Sequence, residues 1–191
     1  MSGGFIVVLA ILAFAAVTIF KGVRIVPQGY KWIVQRLGKY HTTLNPGLNF
    51  VIPYVDEVAY KVTTKDIVLD IPSQEVITRD NAVLLMNAVA YINITTPVNA
   101  VYGIENYTWA IQNLVQTSLR SIVGEMDLDD ALSSRDHIKA KLKAAISDDI
   151  SDWGITLKTV EIQDIQPSST MQAAMEAQAA AERQRRATVT K

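Results

Sequence analysis

The sequence predicts an α+β fold made of an N-terminal transmembrane helix, a domain of mainly antiparallel strands with packed helices, and the start of a long C-terminal helix. Three patterns indicate this fold. Residues 5–20 read FIVVLAILAFAAVTIF and carry no charge. Residues 23–94 contain runs that alternate apolar and polar side chains between turn signals, which is typical of half-buried strands. From Thr96 the apolar residues recur at spacings of three and four, which is the period of an amphipathic helix.

The apolar run near the amino terminus is long enough to cross a bilayer. A helix rises about 1.5 Å per residue, so residues 2–20 span roughly 28 Å of a hydrocarbon layer that is roughly 30 Å thick. A cleaved signal peptide would need a basic residue before the run, and none precedes Phe5. A buried core helix usually has polar positions, which this run lacks. We therefore interpret residues 1–22 as a retained membrane anchor, with these membrane-facing residues: Phe5, Ile6, Val7, Val8, Leu9, Ile11, Leu12, Phe14, Val17, Ile19 and Phe20.

Composition and charge exclude several functional classes. The chain has 18 basic and 19 acidic residues, a net charge of -1, so no overall positive field attracts nucleic acid. Because it has no cysteine, disulfides, thiolate zinc sites and cysteine nucleophiles are excluded. Lys21, Arg24 and Lys31 follow the anchor, whereas no basic side chain precedes it. The positive-inside tendency then predicts a single-pass protein of the inner (plasma) membrane with its bulk on the cytoplasmic side.

Turn residues divide the strand-rich region. Pro27-Gln28-Gly29 reads as a turn, and Asn45-Pro46-Gly47 has the order of a type II turn with positive φ at its glycine. Alternation predicts strands at 57–62 and 66–71, the second ended by Pro72. Residues 79–81 read as a hairpin turn that leads into 83–94. Because 83–94 is apolar on both faces for most of its length, we expect a central strand covered by helices.

Three stretches of this sequence read, in chain order, VPQGYKWIVQRLGKYHTTLNPGLNFVIPYVD, LDIPSQEVITRDNAVLLMNAVAYINI and WGITLKTVEIQDIQP. In this order and spacing they resemble the stomatin/prohibitin group, the SPFH or band 7 family, and most closely its bacterial stomatin-like (paraslipin) branch. The resemblance implies a membrane anchor, a mixed α/β SPFH domain lying on the membrane, and a long C-terminal helical region that drives oligomerisation. Members look like scaffolds of membrane microdomains and regulators of membrane-bound proteases and channels, without an enzymatic activity of their own.

Caps and stops predict the helices that follow. Residues suited to helix N-caps are Thr96, Asn106, Asp127 and Ser134. Gly103 and Gly154 read as helix stops, and a strand over 155–165 should carry a bulge near Lys158-Thr159, where its inward residues change from odd to even numbers. The chain is thus divided into an anchor at 1–22, a mostly β subdomain at 23–96, a subdomain of helices plus a strand at 97–167, and the start of an oligomerisation helix at 168–191.

The last segment has a thin apolar seam that points to self-association. Met171 and Met175 are the candidate oligomerisation residues, and most of their neighbours are alanines. A helix with so little to bury seldom stands alone in water, so we expect a neighbouring copy or a continuation of the helix in a longer protein. The resemblance implies such a continuation, and a large ring is expected only when this helix is complete.

The run LNFVIPYV is the candidate leaflet-contacting segment. A turn presents this dense apolar run not far along the chain from the anchor, and exposed apolar patches of this kind mark interaction surfaces. The alternative is that Leu48, Phe50 and Ile52 are core residues. The resemblance favours contact with the cytoplasmic leaflet by Leu48, Phe50, Val51, Ile52 and Tyr54.

No catalytic, cofactor-binding or metal-binding residue is predicted. His41 and His137 are far apart in the sequence and have no partner at metal-ligand spacing. Arg183, Arg185 and Arg186 accompany Glu182 at helical spacing and read as a salt-bridged face. The predicted function is a non-enzymatic scaffold whose partners are membrane lipids, further copies of the chain, and a membrane protease or NfeD-type membrane protein. The alternative is a membrane-tethered hydrolase with an unrecognised active site.

Overall fold

The computed structural model describes residues 3–189, which form six helices and eight strands. The predictions that concern Ser2 and Lys191 lie outside these residues. In chain order the elements are α1 (Gly3–Gly22), β1 (Val23–Val26), β2 (Tyr30–Arg36), β3 (Lys39–Leu44), β4 (Gly47–Phe50), β5 (Asp56–Thr63), β6 (Ile67–Ile77), β7 (Val83–Ile94), α2 (Pro97–Tyr102), α3 (Tyr107–Gly124), α4 (Leu128–Ser133), α5 (Arg135–Asp152), β8 (Ile155–Pro167) and α6 (Ser169–Val189). The α+β class and the apolar N-terminal helix are confirmed.

The described chain folds into two compact units that interleave along the sequence. The first contains the residues up to Asp66, with Asn93–Glu105 and Trp153–Ile155. The second contains Ile67–Ile92, Asn106–Asp152 and the residues from Thr156 onward. The sequence-derived boundaries at 96 and 167 stay predictions.

The first unit is built on two small antiparallel sheets. One is a ribbon of β1 and β4, and the other has the order β3-β2-β5. Its apolar cluster has Val26, Val34 and Leu44 at the centre, with Val51 and Val58 among the half-buried side chains packed on it. The predicted turns are confirmed, since Gly29 has φ 88° between β1 and β2 and Gly47 has φ 113° at the start of β4.

The second unit is a three-stranded sheet, in the order β6-β7-β8, with packed helices. β7 is central, as its two apolar faces predict. α3 packs against β6 and α5. The helices bury residues at spacings of three and four: Ile111, Val115, Leu119, Ile122 and Val123 in α3, and Ile138, Leu142, Ile146 and Ile150 in α5.

Two local predictions about the second unit are wrong. Pro72 does not end a strand, because β6 continues to Ile77 through an irregularity between Ile71 and Gln74. The ladder has no pair at Pro72, so its missing N–H is not needed there. The Asp127 side chain does not cap α4. It binds Arg79, while the Asp80 carboxylate in the β6–β7 hairpin accepts the Leu128 N–H at the start of α4.

Candidate membrane-contacting surface

Helix α1 is apolar and exposed along its length. All eleven predicted anchor residues, from Phe5 to Phe20, are exposed. The one hydroxyl among residues 5–20, on Thr18, donates to the Phe14 carbonyl at 2.8 Å and so is satisfied within the helix. A helix of 20 residues is about 30 Å long, so α1 is long and apolar enough to cross a membrane.

The end of α1 is joined to the first unit without a linker. α1 ends at Gly22 and β1 begins at Val23. The Val51 N–H donates to the Gly22 carbonyl at 2.8 Å, which fixes the end of β4 beside the end of the helix. A Cβ on Gly22 would lie 2.8 Å from the Val51 carbonyl oxygen, so only glycine allows this close approach. The β1–β4 ribbon therefore has a fixed position directly beside the C-terminal end of α1.

One face of the β1–β4 ribbon is apolar and exposed. The register pairs Val23 with Phe50 and Ile25 with Leu48, and opposite residues of an antiparallel pair share a face. Ile25, Leu48 and Phe50 are 70%, 62% and 72% exposed. The other face carries Val26, which is 2% exposed and belongs to the apolar core. The ribbon is thus attached to the unit by one face and presents apolar side chains on the other.

The loop that follows β4 adds two more exposed apolar side chains, Ile52 and Tyr54. It is held by Asp56, whose carboxylate accepts the Ile52 N–H at 2.9 Å and two bonds from the Arg36 guanidinium at 2.6 and 3.0 Å. The Arg36 bonds, together with the Ile52 N–H, lower the pKa of Asp56 to about 2. Val51 of the same loop is half-buried against the core. The ion pair therefore fixes the loop while Ile52 and Tyr54 face outward.

A two-residue hairpin loop presents a further apolar side chain at this end of the unit. Leu37 and Gly38 have φ 50° and 82° and lie between the paired residues Arg36 and Lys39. The Leu37 N–H donates to the Val55 carbonyl at 3.3 Å, so the loop lies beside the 51–55 loop. Leu37 is 86% exposed. An exposed leucine with a left-handed backbone conformation costs free energy in water. Leu37 is therefore a candidate for contact with a membrane or a partner protein.

The sequence left open whether the apolar residues of LNFVIPYV lie in the core or on the surface. Leu48, Phe50 and Ile52 are exposed and do not belong to the core, while Val51 packs on it. Contact with a leaflet stays a prediction. Sequence reasoning missed Ile25 and Leu37. The signals were available, because VRIV alternates in the same sense as GLNF, and Leu-Gly stands where a two-residue hairpin favours Asn-Gly.

Helix α6 has little to pack against among the described residues. Its N-terminus is capped by the Ser168 hydroxyl, which accepts the Met171 N–H at 3.3 Å. Met171 is half-buried, and Met175 is 37% exposed. Arg186 donates to Glu182 at 3.2 Å, which confirms the predicted salt-bridged pair. An open cavity of about 680 Å³ lies along one side of the helix and is lined by Gln166, Pro167, Gln172, Met175, Glu176, Ala179 and Arg183.

The potential metal-binding side chains of the described residues form no metal centre. Within residues 3–189, no group of three or more His, Asp or Glu side chains is placed to hold a metal ion. His41 lies in β3 of the first unit and His137 in α5 of the second. The role of Met171 and Met175 in oligomerisation stays a prediction.

Comparison with known proteins gives a consistent family match. The profile of the SPFH domain / Band 7 family matches residues 24–191. A stomatin homologue of Pyrococcus abyssi is 40% identical over 186 residues, covering 97% of this chain and 69% of the homologue. Human mitochondrial stomatin-like protein 2 is 38% identical over 164 residues, covering 86% of this chain and 46% of that protein. An uncharacterised protein of Mycobacterium tuberculosis is 36% identical over 186 residues, 97% of this chain and 49% of its own. The chain thus spans about half to two thirds of the length of these curated relatives.

Proposed function

Since the chain belongs to the SPFH domain / Band 7 family, whose members are generally membrane-associated scaffolds that oligomerise, we propose that it is a non-enzymatic scaffold of the inner (plasma) membrane. In this role it self-assembles on the bilayer, organises a membrane microdomain and regulates membrane-protein clients. The bulk of the chain lies on the cytoplasmic side. The clients are a membrane-bound protease or an NfeD-type membrane protein.

The observation that carries this proposal is the direct junction between α1 and an exposed apolar face. A helix that is exposed and apolar all round needs a hydrocarbon environment. Because β1 starts at the residue after α1, the ribbon cannot lie far from the membrane surface that α1 leaves. Fully burying a Leu, Ile or Phe side chain is worth about 1.5–3 kcal/mol, so the exposed parts of Leu48 and Phe50 together favour leaflet contact by about 2–4 kcal/mol. The ribbon thus adds a second membrane attachment to the anchor.

Self-assembly supplies what a scaffold needs beyond attachment. Linked copies hold many weak membrane and client contacts at a high effective concentration, so the contacts become durable together. The seam of α6 offers Met171, Met175 and small alanines, and so little apolar area does not offset the several kcal/mol of lost rigid-body freedom on association. Residues 1–191 should therefore form a small or unstable oligomer. Continuing the helix should give a large closed assembly.

Size-exclusion chromatography with light scattering tests this on both lengths in detergent. Met175→Lys in the longer chain should reduce the assembly to small species, because it puts a charge in the seam. Ala177→Lys is the matched control, since position 177 lies about 200° around the helix from Met175. A stable large ring formed by residues 1–191 alone would show that α6 does not hold the assembly together.

Cross-linking in native membranes followed by affinity purification tests the client. A membrane protease or an NfeD-type protein should be enriched with the wild-type chain and lost with the seam variant. Enrichment of neither class would contradict the client assignment while leaving the scaffold intact.

The hydrolase alternative is tested by a serine-reactive fluorophosphonate probe. We expect no labelling of the folded chain above that of a heat-unfolded sample. Specific labelling that survives purification would overturn the non-enzymatic assignment. No observation among residues 3–189 favours that alternative.

A further inference from the structure

Two neighbouring cavities open beside the end of α1, within the first unit. Their volumes are about 350 and 400 Å³. They share Arg24, Val51 and Asp56 as lining residues. The first is also lined by Trp32, Glu57, Val58 and Lys61, and the second by Lys21, Pro53 and Tyr54.

The acidic residue that the cavities share is already neutralised. Both carboxylate oxygens of Asp56 accept hydrogen bonds from Arg36, and its side chain is only 3% exposed. Asp56 is therefore committed to holding the 51–55 loop. Glu57 is the other carboxylate and lines only the first cavity, together with Arg24 and Lys61. The cationic residues of the two cavities are Lys21, Arg24 and Lys61.

The three cations make no ion pair with a carboxylate among residues 3–189. The Lys21 ammonium lies 5.5 Å from the centre of the Tyr54 ring, and the Lys61 ammonium lies 4.6 Å from that of Trp32. These aromatic contacts position the ammonium groups and leave them able to donate to an oxygen acceptor. The guanidinium of Arg24 makes no hydrogen bond or ion pair with any of residues 3–189. An arginine without a partner at the shared wall of two cavities has its five donors available to a ligand.

The position of the cavities identifies the ligand chemistry. Lys21 is the last residue but one of α1, and the end of a membrane-spanning helix lies among the lipid headgroups. Arginine binds phosphate with two parallel hydrogen bonds, and lysine binds it as a point charge. A zwitterionic headgroup would add an ammonium to a site that already holds three cations. An anionic headgroup would bring only negative charge.

We propose that Lys21, Arg24 and Lys61 form a site for the phosphodiester of an anionic phospholipid headgroup, whose acyl chains lie alongside α1. The proposal rests on the membrane placement of α1 proposed above. The site gives the protein a preference among lipids, which apolar contact alone does not provide. A microdomain scaffold with such a site would collect anionic lipid around its anchor.

Thermal unfolding of the full chain in a nonionic detergent tests the site. Dioctanoyl phosphatidylglycerol should raise the unfolding midpoint more than dioctanoyl phosphatidylcholine or inorganic phosphate at the same concentration, because a ligand of the folded state stabilises it. Arg24→Gln and Lys21→Gln should each weaken the apparent affinity for phosphatidylglycerol by about tenfold, since each removes one charge-assisted contact. Lys39→Gln is the control, an exposed cation that lines neither cavity.

Each other outcome would overturn the proposal. Equal shifts with both lipids would show no preference for an anionic headgroup, and an equal shift with inorganic phosphate would indicate a site for free anions. An equal loss in Lys39→Gln would indicate general surface charge. If Arg24→Gln does not fold, Lys21→Gln and native mass spectrometry of lipid retained by the wild-type chain decide the question.

The proposed function is tested separately in the same samples. Resistance to alkaline extraction and the oligomer mass should be unchanged in Arg24→Gln and Lys21→Gln. If the wild-type chain shows no lipid preference while its extraction resistance and oligomer mass are as expected, only the headgroup site is contradicted.

Discussion

Replacing Leu37 by Asn should stabilise the domain in detergent. Leu37 and Gly38 form the two-residue loop between β2 and β3 with positive φ at both positions, the geometry for which Asn-Gly is favoured. A left-handed backbone costs an ordinary residue about 1–2 kcal/mol, and Asn tolerates it better than Leu. Because the Leu37 side chain is 86% exposed, the substitution removes almost no packing. The free energy of unfolding should therefore rise by about 1 kcal/mol.

The same substitution should weaken contact with a bilayer. Burying a Leu side chain is worth about 1.5–3 kcal/mol, and nearly all of it is still to be gained at Leu37 when the loop enters the leaflet. Leu37→Asn forfeits that gain, which corresponds to about tenfold or more in the population of the contacting state. A gain in unfolding free energy in detergent together with a loss of bilayer contact would identify Leu37 as a membrane-contacting residue. A residue present only to form the turn would show no loss of bilayer contact.

Two measurements test these signs. Urea titration in a nonionic detergent, followed by circular dichroism, gives the change in unfolding free energy. Because the chain has no cysteine, Leu37→Cys can be labelled with bimane at one site and quenched by nitroxide lipids in liposomes. Lys65→Cys is the control, an exposed position beyond the other end of β5. The reasoning is refuted if Leu37→Asn lowers the unfolding free energy, or if the label at 37 is quenched no more than the label at 65.

Three further predictions concern the backbone, acid stability and topology. Gly154→Ala should destabilise the fold by about 2 kcal/mol or more in urea titration, because its φ is 69° and the added Cβ would press on Thr96. Gly124→Ala, in α3, is the control and should be neutral or stabilising. The folded-state pKa of Asp56 is lowered from 3.8 to about 2, chiefly by Arg36, so its contribution to stability is present above about pH 4 and lost as the pH falls towards 2. Asp56→Asn should show a smaller loss of stability than wild type between pH 5 and pH 3, and an equal loss would contradict the assignment. A C-terminal reporter that is active only outside the cytoplasm should be inactive, and activity would reverse the proposed orientation.

Elements set by near neighbours in sequence could be predicted. Turn residues such as Gly29 and Gly47 mark strand ends, because few other residues adopt positive φ at low cost. The spacing of apolar residues in α3 and α5 predicts which face is buried, since the helical period fixes it. Asn106 caps α3 as predicted, because its carboxamide needs to reach only the Trp109 N–H, three residues away.

Features set by distant residues could not be predicted. Asp80 rather than Asp127 bonds the start of α4, and it comes from a hairpin 48 residues earlier in the chain. β6 passes through Pro72 because β7 resumes pairing at Gln74, and this depends on the partner strand. The apolar run around Phe50 could be read as core or as surface, because alternation alone does not say which face a partner covers.

The register of β1 against β4 explains why the candidate site combines an apolar surface with a cationic cavity. Val23 and Ile25 lie opposite Phe50 and Leu48, so one face of the ribbon is apolar throughout. Arg24 therefore falls on the same face as the buried Val26, beside the two cavities. A slip of one residue would place Arg24 among the outward apolar side chains and remove it from the cavity wall. The hydrogen bond from Val51 to Gly22 closes the ribbon at the helix end, so the same register sets where α1 leaves the unit. The proposed leaflet contact and the proposed headgroup site thus depend on one strand pairing and lie on opposite faces of the same ribbon.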